Sequence, residues 1–258
     1  MGEVSKQLLE DVGIHTAVLD ATTDERTLNG VIAEFDNYLT HGEGVAYIVR
    51  KDAFRSSDKI KYTNRYTLNR EDAIRAIVNA AGDDIIISAT GKASRELYEI
   101  REENGQSHDP DFLTVGSMGH SSSIALGIAL NQPKKRVWCI DGDGAVLMHM
   151  GAMAVIGANQ PKNLRHVIIN NTAHESVGGV PTVAGSIDIA QIAVGCGYKN
   201  VLSVNDNDSL VDALKELHDT ASLSLLEVKC SISSRTDLGR PKERAVENKE
   251  AFIRFVGL

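Results

Sequence analysis

The 258-residue sequence has few cysteines, few aromatic residues and no long apolar run. Its three cysteines, Cys139, Cys196 and Cys230, lack CxxC spacing and lie in or beside apolar segments, which argues against a disulfide framework and indicates buried thiols. No apolar stretch approaches the ~20 residues that a membrane-spanning helix needs. Charged side chains interrupt the first twenty residues, so we expect no signal peptide and a cytoplasmic protein.

The sequence also lacks an excess of positive charge. Its formal net charge of −8 argues against nucleic acid and anionic membranes as partners. An anionic ligand would therefore have to be held locally, by a metal ion and by helix N-termini. A GxGxxG segment is missing as well, which disfavours the alternative of an unrelated doubly wound dinucleotide-binding protein.

What is present from residue 66 to 258 is an alternation of apolar strands and amphipathic helices. The predicted strands span 84–88, 112–115, 137–140, 166–169, 201–204 and 224–228; the predicted helices span 70–80, 93–102, 120–130, 145–158, 188–194 and 207–219. Asn69 is the expected cap of the first of these helices. This alternation predicts an α/β domain with a doubly wound parallel sheet, covered on both faces.

The first fifty residues predict a smaller α/β fragment. We expect helices over 5–12 and 24–39, the second capped by Thr22 or Thr23, and extended segments over 16–19 and 45–49. Two strands are too few to bury the apolar face of the helix over 24–39, and we therefore expect that face to mark an interaction site. We also expect strand 45–49 to be an open sheet edge. Residues 51–65 are polar and of mixed charge, as is typical of a linker.

The most informative segment is a strand–helix–strand unit with polar turns after both strands. The first turn reads Asp141-Gly142-Asp143-Gly144, and the second contains Asn171, 28 positions beyond Asp143 (171 − 143). A right-handed crossover would bring both turns to the same edge of the sheet. Their oxygens, with a backbone carbonyl such as that of Ala173, suit Mg²⁺. Gly142 and Gly144 would let a bulky anion approach the backbone.

Two further glycine turns lie between a strand and the start of a helix. They contain Thr90 and Gly91 in one case, and Gly116, Ser117 and Met118 in the other. Backbone amides at such positions suit a diphosphate, although each turn alone is also typical of an ordinary loop.

Four other side chains are candidates for contacts with a substrate. His120 begins a helix near the expected site and His174 follows the Asn171 turn, so either is placed to bind a carboxylate or move a proton. Arg235 and Arg240 lie in a C-terminal loop and suit a doubly charged phosphonate or sulfonate. The alternative for the arginines is a solvated ion pair with Asp237 or Glu243.

The segments TGKASRELYE, TVGSMGHSSSIALGIAL, GDGAVLMHMGAM, NNTAHESVGGVPTV and SRTDLGRP together carry a family resemblance. GDG followed by NN resembles the diphosphate-metal motif of thiamine diphosphate enzymes, and the segments resemble phosphonopyruvate decarboxylases, with sulfopyruvate decarboxylases as near relatives. The resemblance implies a thiamine diphosphate-binding fold and the cofactors thiamine diphosphate and Mg²⁺. It also implies that the Gly116 carbonyl accepts from the cofactor's 4′-amino group, and that Met118 bends the cofactor into its reactive V shape.

The resemblance further implies that residues 1–50 are the end of a pyrimidine-binding domain, with 66–258 as the diphosphate-binding domain. In that family a glutamate of the pyrimidine-binding domain activates the cofactor across a subunit interface, and no stretch here matches its surroundings. Two readings stay open. The chain is one subunit of a decarboxylase for phosphonopyruvate or sulfopyruvate, completed by a homo-oligomer or by a separate pyrimidine-binding subunit. Otherwise it is an inactive cofactor-binding module.

Overall fold

The computed structural model describes residues 2–54 and 60–257. The chain divides into two compact units, Met1–Ile60 and Lys61–Leu258. The predicted linker over 51–65 falls partly on residues 55–59, which lie outside the described residues. Within the described ranges, none of the helices combines the length and the apolar character required to span a bilayer.

The first unit contains two helices and a two-stranded parallel sheet. In chain order these elements are α1 (Ser5–Asp11), β1 (His15–Leu19), α2 (Glu25–Thr40) and β2 (Val45–Val49). β1 pairs with β2, so each strand has one edge unpaired within the described part of this unit.

The helix cap predicted in this unit was wrong. Asp24 caps α2, because its side chain accepts a hydrogen bond from the Thr27 amide at 2.7 Å. The hydroxyl of Thr23 is used one turn earlier, where it accepts from the Asp20 amide at 3.0 Å. Thr22 donates to the Asp20 side chain, so the two threonines close the turn before the helix.

The second unit confirms the predicted alternation of strands and helices. Its helices are α3 (Arg70–Ala81), α4 (Lys92–Asn104), α5 (Ser121–Asn131), α6 (Asp143–Met148), α7 (Gly151–Asn159), α8 (Ile189–Cys196), α9 (Asn207–Asp219) and α10 (Ala245–Val256). Its strands are β3 (Ile85–Ser88), β4 (Asp111–Leu113), β5 (Val137–Gly142), β6 (Leu164–Asn170), β7 (Ala173–His174), β8 (Val180–Pro181), β9 (Asn200–Val204) and β10 (Ser224–Lys229). Asn69 caps α3 as predicted, since its side chain accepts from the Glu71 amide. The sequence did not indicate α10 or the short β7–β8 hairpin.

The crossover helix predicted over 145–158 is instead two helices, α6 and α7. The chain leaves the first at His149 and begins the second at Gly151. A Cβ atom added at Gly119 would lie 2.7 Å from the Ala145 carbonyl and from the His149 ring. The end of α6 is thus packed directly against the Gly119 turn, and this tertiary contact overrides the local helix propensity.

Six strands of the described chain form a parallel sheet in the order β4-β3-β5-β6-β10-β9. Side chains of successive strand residues point to opposite faces of the sheet and pack against different helix layers. Ile86 packs with apolar residues of α3, α4 and α9, whereas Ile85 and Ile87 pack with those of α5, α7, α8 and α10. Covered on both faces, the sheet confirms the predicted doubly wound class.

The strand order reverses direction between β3 and β5. The chain runs outward from β3 to β4 and then returns to the other side of β3 as β5. In open α/β sheets, a crevice forms beyond the carboxyl ends of the strands at such a switch point, and ligands bind there. The turns after β3 and β5 are those that contain Gly91 and Asp143.

Candidate functional site

A cleft lies at this switch point, and it gathers turns that are far apart in the sequence. Its lining contains nine of the predicted site residues: Thr90, Gly91, Met118, Gly142, Asp143, Gly144, Asn171, Ala173 and His174. They come from the turns after β3, β4, β5 and β6. Arg70, Lys92 and Glu175 complete its charged lining.

Asp143 and Asn171, the two predicted side-chain metal ligands, are both buried at this cleft. Asp143 is the first residue of α6, and its Oδ2 accepts a hydrogen bond from the Thr182 hydroxyl at 2.5 Å. Burial raises the pKa of the Asp143 carboxyl, and the Thr182 hydrogen bond offsets this in part. Asn171 Oδ1 accepts from the amide of Ala173 at 3.1 Å.

The backbone of the Asn171 turn is held by Asn64, a residue assigned to the linker from sequence. The Asn64 side-chain amide donates to the Asn171 carbonyl at 2.8 Å and to the Cys230 carbonyl at 2.9 Å. It therefore ties the end of β6 to the end of β10. This part of the predicted linker belongs to the second unit.

A network of ion pairs forms one wall of the cleft. Arg70 is buried and donates two hydrogen bonds to Glu96, both at 2.7 Å, and a third to Glu175. Lys92, the first residue of α4, donates to Glu175 at 2.9 Å. Asn171 also donates to Glu175 at 2.9 Å, so the network reaches a predicted metal ligand.

The network lowers the pKa of Glu175. Burial alone would raise its pKa, but the Arg70 charge and hydrogen bonds from Lys92 and Ser234 together lower it. The wall thus pairs two cations, Arg70 and Lys92, with two carboxylates. Arg70, Glu175 and Thr182 were not predicted from the sequence. Glu175 could have been recognised, because it is a charged residue four positions after Asn171 in the turn that follows a buried strand.

Two glycines of the cleft are required by local geometry. Gly91 precedes α4 with φ of 122°, a conformation that side chains rarely adopt. A Cβ atom at Gly144 would lie 2.6 Å from the His174 ring. This close approach places His174 against the start of α6.

The Gly116 turn stands beside the cleft and is joined to the Thr90 turn. Gly116 and Ser117 adopt positive φ values of 74° and 45°, and the Gly116 amide donates to the Thr90 hydroxyl at 3.3 Å. Met118 reaches the cleft lining, whereas Gly116 and Ser117 do not belong to it.

Of the four residues predicted to contact the substrate, only His174 belongs to the cleft lining. His120 is exposed, its Nδ1 lies 3.0 Å from the Ser117 carbonyl, and its ring centroid lies 4.0 Å from that of His149. Arg235 is bound by Glu71, Glu99 and Asp237, so the ion-pair alternative describes it. Arg240 is exposed and also outside the lining.

The donor set of the cleft fits a magnesium-bound diphosphate. A carboxylate, an amide oxygen and backbone carbonyls are hard oxygen ligands of the kind Mg²⁺ prefers. The N-terminus of α4 opens at the same cleft behind Gly91, which leaves backbone amides for an anion. Arg70 and Lys92 add positive charge to a chain that is acidic overall.

This chain is similar to a thiamine pyrophosphate enzyme domain and to named decarboxylases. The family model described as thiamine pyrophosphate enzyme, C-terminal TPP binding domain, matches residues 89–228. The phosphonopyruvate decarboxylase of Streptomyces viridochromogenes is 37% identical over 182 residues, which cover 70% of this chain and 44% of that protein. The sulfopyruvate decarboxylase subunit beta of Methanocaldococcus jannaschii is 38% identical over 165 residues, which cover 63% of this chain and 80% of that subunit.

Solved structures agree on the fold. Benzoylformate decarboxylase from Polynucleobacter necessarius superposes with a TM-score of 0.57 at 14% identity, covering 70% of this chain and 36% of that one. The matched region spans less than half the length of the Streptomyces relative and four fifths of the methanogen subunit.

Proposed function

We propose that this chain, which belongs to the thiamine pyrophosphate enzyme family, is the diphosphate-binding part of a decarboxylase that converts phosphonopyruvate to phosphonoacetaldehyde and CO₂. The observation that carries the proposal is the cleft at the switch point, where Gly91, Asp143 and Asn171 come together from three separate turns. The similarity to phosphonopyruvate decarboxylases supports the choice of substrate.

Thiamine diphosphate is the cofactor, and we propose Mg²⁺ as its metal. Asp143, Asn171 and the Ala173 carbonyl would hold the metal, and Thr90, Gly91, Gly142 and Gly144 would contact the diphosphate. The bound cofactor supplies the nucleophile for the 2-oxo carbon and takes up the electrons released with CO₂. Gly116, Ser117 and Met118 would position its pyrimidine end.

The substrate's anionic tail has two sets of candidate contacts. Arg235 and Arg240 remain the contacts predicted from sequence, although Arg235 would have to exchange its carboxylate partners for the substrate. Lys92 lines the cleft and shares Glu175 with Arg70, so it is the nearer cation. His174 is the candidate for a proton donor because it lies in the lining, and His120 remains a second prediction.

We further propose that another polypeptide supplies the activating glutamate. The family resemblance requires this group, and no segment of this sequence matches its surroundings. A pyrimidine-binding subunit, or a second copy of this chain, would dock on the first unit. It would cover the unpaired edges of β1 and β2 and the exposed apolar side chains of that unit. That relatives include a decarboxylase subunit called beta supports such a division.

Sulfopyruvate is the second candidate substrate. It is favoured by the coverage of the beta subunits, of which 76–80% is matched, against 41–44% for the phosphonopyruvate decarboxylases. Phosphonate and sulfonate tails are nearly isosteric, so the same cleft would admit either.

The test is a decarboxylation assay with thiamine diphosphate and Mg²⁺. The purified chain would be assayed alone and with a glutamate-bearing pyrimidine-binding subunit, on phosphonopyruvate, sulfopyruvate and pyruvate. We expect turnover of an anionic-tailed substrate only with the subunit present. Robust turnover by the chain alone would contradict the divided site, and equal use of pyruvate would contradict recognition of the tail. Cofactor binding without turnover in every mixture would favour the inactive module.

A further inference from the structure

A second group of ligand-type side chains lies inside the core, away from the cleft lining. Cys139 and Asp141 occupy alternate positions of β5, and His166 of β6 is the direct cross-strand neighbour of Cys139. All three residues have no solvent exposure. Their sulfur, oxygen and nitrogen atoms lie within 4.8 Å of one another. The group is therefore a compact, dry cluster between two central strands.

Two atoms of this cluster face each other without a partner. Asp141 Oδ2 and His166 Nε2 are 3.6 Å apart, which is too long for a hydrogen bond, and neither has another partner in the described structure. A buried carboxylate oxygen without a hydrogen-bond partner lowers the stability of the fold, because it has lost its hydration and gained no compensating contact.

The remaining atoms of the same side chains are fully engaged. Asp141 Oδ1 accepts from the Ser121 hydroxyl at 3.0 Å and from the Gly142 amide at 3.2 Å. His166 Nδ1 lies 3.0 Å from the Tyr198 hydroxyl. These contacts fix the orientation of both side chains and aim the unpaired oxygen and nitrogen at one point.

We propose that Cys139, Asp141 and His166 form a binding site for a divalent transition metal of the zinc type. Thiolate, imidazole and carboxylate are the ligands that zinc takes in proteins, whereas Mg²⁺ prefers oxygen alone. The site is therefore chemically distinct from the one at Asp143 and Asn171. Two anionic ligands and one neutral imidazole would also cancel the charge of the ion, as a buried site requires.

The distances suit such an ion after a small adjustment. Ligand nitrogen and oxygen atoms around tetrahedral zinc lie about 3.3 Å apart, close to the separation found between Asp141 and His166. The cysteine sulfur lies within 4.8 Å of the other two ligand atoms and would move toward the ion by about 1 Å, because zinc–sulfur bonds are about 2.3 Å long. Tyr198 and Ser121 provide the outer hydrogen bonds that orient metal-binding imidazoles and carboxylates.

This ion would reinforce the turn that carries the cofactor site. Asp141 precedes Gly142 and accepts its amide hydrogen bond, and Asp143 follows directly. Fixing Asp141 to β6 would hold the start of α6 in register with the Asn171 turn. The role is structural, so its readouts are metal content and thermal stability rather than turnover.

The experiment uses the full chain, unfolded in denaturant with a chelator and refolded with Zn²⁺ or Co²⁺. Elemental analysis after gel filtration in a weak chelator is expected to give about one zinc per chain. Refolding with Co²⁺ is expected to give a thiolate-to-cobalt charge-transfer band. The zinc-loaded chain should also melt at a higher temperature than the metal-free chain.

Matched variants identify the ligands. Cys139→Ser should remove the charge-transfer band, whereas Cys230→Ser, at a buried cysteine outside the cluster, should retain it. Tyr198→Phe should weaken metal binding about 10- to 100-fold without abolishing the band. A wild-type chain with no bound zinc and no cobalt–thiolate band would overturn the proposal, whether or not the variants fold. So would a band that Cys139→Ser leaves unchanged.

Discussion

The two units of the chain share an α/β pattern but differ in how much of it they bury. In the second unit, strands β3, β5 and β6 are covered on both faces, and residues such as Ile86 and Ile140 have no exposure. In the first unit, β2 keeps Tyr47 at 41% and Val49 at 49% exposed, and Phe35 is the residue of α2 that is buried. The same local periodicity thus yields a complete core in one unit and an incomplete one in the other.

This difference shows that hydrophobic periodicity specifies the helices and strands. Whether a unit is stable on its own depends on how many strands it contains. A two-stranded sheet with a helix on it is at the lower limit of stability, and more strands or a partner are needed. We therefore expect the second unit to hold the cofactor and most of the stability, and the first unit to depend on docking. Three consequences of this comparison concern single side chains, and a fourth concerns pH.

The first expected effect is on cofactor binding. Asp143→Asn should weaken Mg²⁺-dependent binding of thiamine diphosphate by about 100-fold or more, because it removes the anionic ligand from the proposed metal site. Asp20→Asn in the first unit, where the carboxylate bonds to Thr22, should leave the affinity unchanged. Calorimetric titration measures both, with a melting curve to check the fold. Equal affinity in the two variants would place the site elsewhere.

The second expected effect is on stability, and it contrasts two ion pairs. Arg101 and Asp111 are fully buried in the second unit and joined by two hydrogen bonds of 3.0 Å. Asp111→Asn should destabilise that unit by about 3–5 kcal/mol, because a buried guanidinium loses its counter-ion. In the first unit His15 and Glu43 pair near the surface, and Glu43→Gln should cost less than about 1 kcal/mol.

Urea unfolding followed by fluorescence reports on the second unit in this test, because Trp138 is the only tryptophan and is buried there. Hydrogen exchange of β1 and β2 reports on the first unit. A small effect of Asp111→Asn would mean that the buried pair contributes little beyond its packing.

The third effect compares packing in the two units. Leu97 has no exposure, so Leu97→Ala should destabilise the second unit by about 2–5 kcal/mol through a cavity. Ile32 is 41% exposed, so Ile32→Ala should cost the first unit less than about 1 kcal/mol while the chain is unpartnered. Urea midpoints measure both variants. If a partner subunit covers α2, the cost of Ile32→Ala should rise in the complex.

Much of the fold and part of the site could be predicted from sequence, because they rest on local signals. The strand–helix alternation of 66–258 sets the doubly wound sheet, and the crossover rule brings Asp143 and Asn171 to one edge although they lie 28 positions apart in the sequence. The glycine at position 91 could be recognised because a turn before a helix demands it. Each of these inferences rests on a local sequence pattern or on the general crossover rule for parallel strands.

The remainder depends on contacts between distant residues. Arg70 and Glu175 are 105 positions apart, and neither has a periodic or turn signal that would pair it with the other. Arg235 looked free for a substrate because the sequence does not show that Glu71 and Glu99 surround it. The helix break at His149 lies where Gly119 packs against the ring, a contact that the sequence does not show.

The smallest expected effect is on amide exchange, and it compares how much the first turn of a helix in each unit depends on its N-cap. Asp24 caps α2 in the first unit, and Asp206 caps α9 in the second by accepting from the Ser209 amide at 2.9 Å. Hydrogen bonds from Thr27 lower the pKa of Asp24, and those from Ser209 lower the pKa of Asp206. Because each folded-state pKa lies below the unfolded value, each cap stabilises its helix above the unfolded pKa. That contribution is lost as the pH falls through the folded pKa.

The two helices should respond unequally to loss of the cap. Leu210, Leu214 and Leu217 anchor α9 in the core, whereas α2 buries Phe35 alone among its described residues. Asp24→Ala should therefore speed amide exchange in the first turn of α2 by about fivefold at neutral pH, and Asp206→Ala should change α9 less. Lowering the pH below both folded pKa values should erase the difference between each variant and the wild type. Equal acceleration in the two helices at neutral pH would show that the first unit holds its helix as firmly as the second, and the comparison between them would fail.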